Sequence, residues 1–218
     1  MREYPFDYQK LFQFAASDPY QEVGDANQSI LNQLEGLRSE LNFPAIQTDI
    51  GLFIKFMLVY WKPKVIFEMG SGYGHSAFWF LSANTNIEKI ILTEKRSDLK
   101  QKFMSVNWPA RWQDKMEYHQ GDAFDTLSEI GNIDLALIDG VKGDYLKFLL
   151  ALKNHTQSGA LVLIDNSYWR GSFLDDEVVA IKKSPQKIKE LHEYIAHSSE
   201  WESLFIPFVD GLSILRKI

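Results

Sequence analysis

VIFEMGSGYGHS, residues 65–76, opens with a short apolar run, Val65-Ile66-Phe67. It then passes through Glu68 and Met69 into Gly70, Gly72 and Gly74. The run reads as a buried strand, and Gly74 to Leu81 as a helix. Glycines between the two permit a tight turn and let a ligand approach the backbone closely. The spacing departs from the G-x-G-x-x-G of a dinucleotide site, because the third glycine comes one place early. Glu68, two residues before the first glycine, would repel a pyrophosphate and suit a cationic amino group. A plain strand-to-helix turn beside a solvated acid is the other reading.

Outward from this stretch the pattern alternates. Upstream, Ala26 to Leu41 carries Ile30, Leu31, Leu34, Leu37 and Leu41 at helical spacing, and Asp49 to Trp61 reads as a more buried helix. Downstream, strands are expected at Lys89–Thr93, Met116–His119, Ile133–Ile138 and Ala160–Ile164. Helices are expected at Ser97–Val106, with Ser97 as N-cap, and at Ala123–Ile130, Gly143–Lys153 and Pro185–His197. Trp201–Val209 and Leu212–Arg216 read as two strands joined at Asp210-Gly211, a strong hairpin signal. Five β/α alternations imply a parallel sheet covered on both faces, and the hairpin an antiparallel edge. Ligands of open α/β sheets bind at the carboxyl ends of the strands.

The 218 residues suffice for one large α/β domain, and 45% hydrophobic with 24% charged is ordinary globular usage. A net charge of −6 argues against a chain whose main task is gripping phosphate backbones. With no cysteine, disulfides, thiolate zinc sites and a cysteine nucleophile are excluded. The N-terminus has no apolar signal-like core. No run approaches the roughly 18 uncharged apolar residues of a membrane span. The longest, Ile50 to Trp61, is interrupted by Lys55. A cytoplasmic protein with no membrane association is expected. The five histidines (His75, His119, His155, His192, His197) have no metal-ligand spacing.

Each later strand also ends in acids. Glu94 closes the second strand, where an acid can accept both ribose hydroxyls of an adenosine or simply pair with Lys95 or Arg96. Asp122, after the third, can hold an adenine amino group, cap the helix from Ala123, or do both. The fourth strand ends in Asp139-Gly140-Val141-Lys142 and the fifth in Asp165-Asn166. Oxygens of Asp139, Asp165 and Asn166 could converge on a hard divalent cation such as Mg²⁺, unless Asp139 is only a helix cap and Asp165-Asn166 only a turn.

EMGSGYGHS, ILTEKR, GDA, DLALIDGVKGDY, LVLIDNSYWRG and FIPFVDGLSILRK together resemble, in order and spacing, the cation-dependent O-methyltransferases, which include the catechol and caffeoyl-CoA enzymes and many bacterial relatives. The resemblance runs from about Ile46 to the C-terminus. It implies a Rossmann-like seven-stranded, mostly parallel sheet with a C-terminal antiparallel hairpin, S-adenosylmethionine as donor, a divalent cation (usually Mg²⁺), and a homodimer. Glu68, Gly70, Ser71 and Ser76 then match contacts to the donor's methionine end and loop. Ile46 sits where a backbone contact to that end lies. Glu94 matches the ribose acid, Asp122 and Ala123 the adenine region, and Asp139, Asp165 and Asn166 the metal ligands, with Asp139 also near the donor. Lys142 matches the general base. Many bacterial relatives read Asp-Ala-Asp-Lys where this chain reads Asp139-Gly140-Val141-Lys142. A donor contact there is either lost or made by backbone, and catechol specificity does not carry over.

The expectation is one domain, with a helical segment 1–45 packing on the core or a dimer interface ahead of a methyltransferase unit 46–218. Its activity would be O-methylation of a small catechol-like or phenolic acceptor. Tyr4, Phe6, Tyr8, Phe12, Phe14, Tyr168 and Trp169 could sandwich a flat ring, or serve only packing or an interface. Arg170 could meet an acidic acceptor, or be an ordinary surface arginine. The competing readings are a tRNA methyltransferase acting on 5-hydroxyuridine, a nucleotide-dependent dehydrogenase, and a donor-binding protein without catalysis.

Overall fold

Ile66 and Phe67 are both fully buried, yet they belong to different hydrophobic clusters on opposite faces of one sheet. The structure, a computed structural model, describes residues 25–207 and 210–218. Helices α1 (Asp25–Leu41) and α2 (Thr48–Trp61) precede strand β1 (Val65–Met69) and α3 (His75–Ser82). Then come β2 (Lys89–Glu94), α4 (Ser97–Ser105), α5 (Ala110–Gln113), β3 (Met116–Gln120), α6 (Ala123–Ser128) and β4 (Ile133–Ile138). A 3₁₀ turn, Lys142–Asp144, leads into α7 (Tyr145–Leu152) and β5 (Thr156–Asp165). A second 3₁₀ segment (Trp169–Leu174), α8 (Asp176–Ile181), α9 (Lys183–His197), β6 (Trp201–Ile206) and β7 (Leu212–Lys217) complete the order.

Among the described residues the seven strands form one sheet, ordered β3-β2-β1-β4-β5-β7-β6. The first five are parallel, and β7 runs antiparallel between β5 and β6. This is the Rossmann-like, mostly parallel sheet with a C-terminal antiparallel hairpin. Alternation builds its two faces: Leu135, Leu137, Leu161 and Leu163 point one way, Ala136, Ile138, Val162 and Ile164 the other. On the first face α3 is buried all round, beneath α1 and α2. A Cβ on Gly51 of α2 would stand 2.3 Å from the Trp79 ring, so that crossing requires glycine. Truncating so buried a tryptophan costs about 3–5 kcal/mol.

Several boundaries differ from the sequence reading. Ser97 is the first residue inside α4 rather than its cap; Arg96 holds the cap position, and no side chain caps the helix. The Glu94 carboxylate takes the Arg96 N–H at 2.9 Å, turning the chain one residue early. Strand β5 starts at Thr156 rather than Ala160, because Thr156 pairs with Ile133 across a register shift. Helix α6 stops at Ser128 and β6 at Ile206, and α5 and α8 come in addition. Tyr4, Phe6, Tyr8, Phe12 and Phe14 lie outside the described residues. No helix among the described residues is long and apolar enough to cross a membrane.

Candidate active site

Strand order reverses at β1, whose neighbours β2 and β4 lead away in opposite directions; such switch points open a crevice at the strand ends. Gly70 has φ +92°, and a Cβ there would stand 2.4 Å from the Asp139 carbonyl. Only glycine lets the β1 and β4 ends approach this closely. The Gly70 and Ser71 N–H groups both donate to the Thr93 carbonyl, at 3.0 and 2.9 Å. The Ser71 hydroxyl accepts from the Thr93 N–H at 3.0 Å. The loop is thus tied to β2 before any ligand is considered.

Behind it Glu68 is 1% exposed. Its Oε1 accepts from the Ser76 hydroxyl, and its Oε2 is buried without a hydrogen-bond partner among the described residues. Burial pushes this carboxyl up to about 7, against the pull of the Ser76 and Ser71 hydroxyls. Glu94 is anchored differently. Its Oε2 accepts from Gly72 N–H at 3.1 Å and its Oε1 from Arg96 N–H, which leaves spare lone pairs on both oxygens. Asp122 caps α6 through the Phe124 N–H at 3.0 Å, and its other oxygen meets Lys95 Nζ at 3.0 Å. The Phe124 N–H and Lys95 hold it below the usual aspartate range.

At the ends of β4 and β5 the charges are packed closely. Burial, then the neighbouring Asp165, raises the Asp139 carboxyl well above its ordinary value. Asp165 is pushed up to about 6 by burial, opposed by the Asn166 N–H and Lys142. Asp49 and Asp210 add to the rise. Burial draws the Lys142 amine down, against the attraction of Asp139, Asp165 and Asp210. Lys142 Nζ donates to Tyr145 Oη at 2.6 Å and to Asn166 Oδ1 at 2.9 Å, and lies 5.4 Å from the Trp169 ring centroid. Among the described residues no trio of His, Asp or Glu gathers as a metal site; the candidate set is two acids and an amide.

One cavity of about 340 Å³ joins these parts. Gly70, Glu94, Asp122, Ala123, Asp139, Lys142 and Asn166 line it. Glu68, Ser71, Ser76 and Asp165 are buried beside it and do not line it. The Ile46 side chain packs into the core cluster, and Phe43 and Pro44 of the same loop line the cavity instead. Val141, in the Asp139–Lys142 stretch, is 65% exposed and lines the cavity, and Asp144 lines it too. Asp144, Asp49 and Tyr145 had no site role in the sequence reading, and Asp210 had only a turn. Only the three-residue step from Lys142 to Tyr145 was a usable signal.

A family model described as O-methyltransferase matches residues 21–218. The chain belongs to the O-methyltransferase family. This O-methyltransferase is 25% identical over 207 residues to a flavonoid 3',5'-methyltransferase of Vitis vinifera, covering 85% of this chain and 87% of that one. It is 24% identical over 188 residues to caffeoyl-CoA O-methyltransferase 3 of Nicotiana tabacum, covering 81% and 78%. Among solved structures it superimposes on an O-methyltransferase from Bacillus cereus in complex with SAH, with TM-score 0.80, 19% identity, and coverage of 93% and 97%. TomG from Streptomyces achromogenes, in complex with SAM, gives TM-score 0.77 at 20% identity, covering 88% and 89%. The class expected from the motif order is therefore the class found, and an O-methyltransferase is neither a dehydrogenase nor a passive donor-binding protein.

Proposed function

We propose that this O-methyltransferase moves a methyl group from S-adenosylmethionine to a hydroxyl of a small catechol-like or phenolic acceptor, assisted by a divalent cation, Mg²⁺. The observation that carries the reading is the division of one cavity into two chemically different ends. The donor end fits its ligand. It offers a glycine cradle that a Cβ would fill, a buried carboxylate oxygen without a partner, and a second acid held by two backbone N–H groups. Gly70, Ser71, Ser76 and Glu68 would hold the methionine end with the Ile46 backbone, Glu94 the ribose, and Asp122 and Ala123 the adenine. The other end fits a hard cation. Asp139, Asp165 and Asn166 present oxygens, Asp165 raises the Asp139 carboxyl, and the Lys142 amine already rests on Asn166 Oδ1.

When bound, the donor supplies an electrophilic methyl group on sulfur, and the cation supplies positive charge that acidifies a nearby hydroxyl. The chain's residues do the remainder. The cavity fixes both reactants, and alignment of this kind is worth roughly 7–11 kcal/mol in favourable cases. Burial favours the neutral amine of Lys142, and in that form Nζ takes the acceptor's hydroxyl proton and becomes the ammonium. A tRNA acceptor is disfavoured, because the basic residues on the cavity wall are already committed: Lys95 to Asp122, Arg96 to Asp98, and Lys142 to Tyr145 and Asn166. The cysteine-free composition is in keeping with a cytoplasmic, membrane-free setting, and the family resemblance carries the homodimer, which light scattering in solution would measure. We place residues 1–45 and 46–218 in one domain.

The test is a methyl-transfer screen with labelled donor against catechol, caffeate, a flavonoid and bulk tRNA, with Mg²⁺ or EDTA. Transfer to a phenolic is expected, falling roughly 100-fold in EDTA and in Asp139→Ala or Lys142→Ala. Full activity in EDTA would remove the cation from the mechanism. Transfer to tRNA alone would replace the acceptor.

A further inference from the structure

Lys142 lies just after β4, whereas Asp165 and Asn166 lie at the end of β5, so something must fix the amine relative to that second strand. Tyr145 stands between them. Its side chain is fully buried at the start of α7, with the phenol facing the strand ends. The hydroxyl accepts from Lys142 Nζ at 2.6 Å and donates its single proton to the Asp165 backbone carbonyl at 3.2 Å. The Tyr145 ring also gives the ammonium an aromatic neighbour, 4.8 Å from its centroid.

We propose that Tyr145 is a positioning residue that ties the Lys142 amine to the backbone of Asp165 and so sets the proton-accepting group in register with the acids across the cavity. This rests on the reading of Lys142 as the group that takes the acceptor's proton. Without the phenol oxygen the amine keeps Asn166 Oδ1 as its one side-chain acceptor among the described residues, and its tie to the Asp165 backbone is cut. Phenylalanine fills the same space with one oxygen fewer, so Tyr145→Phe separates positioning from packing.

The experiment uses the whole chain labelled with ¹⁵N, at mildly acidic pH and low temperature. The lysine ammonium resonance that disappears in Lys142→Met belongs to Lys142. In the wild type it should exchange slowly with water and show a nuclear Overhauser contact to the Tyr145 ring. In Tyr145→Phe the slow exchange should be lost while the backbone amide spectrum stays folded. With a methylated phenolic from the screen, kcat should fall at least roughly 10-fold with donor KM unchanged. A wild-type Lys142 resonance without protection or ring contact overturns the proposal, whether or not the variant folds. A Tyr145→Phe chain that keeps the protection overturns it too. A wild type that methylates no probe counts against the proposed function instead, and the resonance test still decides the role of Tyr145.

Discussion

At Glu68 a carboxyl group is held almost wholly out of water, and its titration becomes a property of the fold. Its ordinary value of 4.5 rises to about 7 in the folded chain. Between those values the folded chain keeps a proton that the unfolded chain has released. Its contribution to stability is therefore complete below about 4.5 and is lost as pH rises through about 7, a difference of roughly 3 kcal/mol. Urea midpoints measured between about pH 5 and 8 should fall with pH in the wild type and fall less steeply in Glu68→Gln, where the raised Asp139 and Asp165 carboxyls remain. On the proposed reading a donor amine beside the orphaned Oε2 favours the carboxylate, so S-adenosylhomocysteine should release a proton on binding and bind more tightly as pH rises through 7. Calorimetry in two buffers of different ionisation enthalpy reads that proton, and its absence would detach Glu68 from the donor. Glu68, Glu94 and Asp122 were legible because an acid after an apolar run stands out. Tyr145 was not, because an aromatic residue at helical spacing reads as core. Asp210 was read only as half of a hairpin turn, yet its carboxylate accepts the Arg170 N–H across forty residues of chain.

Among the elements, the β1–β4 junction carries the sharpest demand. Gly70→Ala must place an L side chain at φ +92° and push a Cβ towards the Asp139 carbonyl, 2.4 Å away. The left-handed backbone alone costs about 1–2 kcal/mol. A loss of at least about 2 kcal/mol in denaturant unfolding is expected, with S-adenosylhomocysteine affinity reduced at least tenfold. Gly140→Ala is the control, since its Cβ would meet the flexible Met69 side chain at 3.0 and 3.3 Å and the Met69 carbonyl only at an ordinary 3.6 Å. It should cost less than about 1 kcal/mol, and equal losses in the two variants would refute the argument from close approach. The strands themselves were readable from their apolar runs. The start of β5 was not, because Thr156-Gln157-Ser158-Gly159 looks like a turn and becomes strand only through its pairing with β4. The start of α4 was misplaced for a similar reason, since the acid that turns the chain at Arg96 belongs to the preceding strand.

For the molecule as a whole, two hydrophobic clusters share one sheet, and both should melt together in a single transition. S-adenosylhomocysteine at a hundred times its Kd adds about 2.7 kcal/mol, which for a chain of this size raises Tm by about 5–11 °C. Two separate transitions in calorimetry, only one moved by the ligand, would contradict a single cooperative unit. At this scale the sequence was most informative, because alternation dictates a parallel sheet and the sheet dictates where ligands bind. What it withheld were the parts of the cavity wall supplied by Phe43, Pro44 and Asp144, which no strand-end pattern marks. The position of β7 also bears on biosynthesis. Asp165, at the end of β5, pairs with Leu212 of β7, and β6, although made earlier, reaches the sheet only through β7. A nascent chain emerging from the ribosome can therefore assemble the donor end, from β1 to β4, while the strand bearing Asp165 and Asn166 still has a bare edge. On the proposed reading, competence for chemistry waits for β7, so a chain stalled before Leu212 would hold the donor without the means to use it.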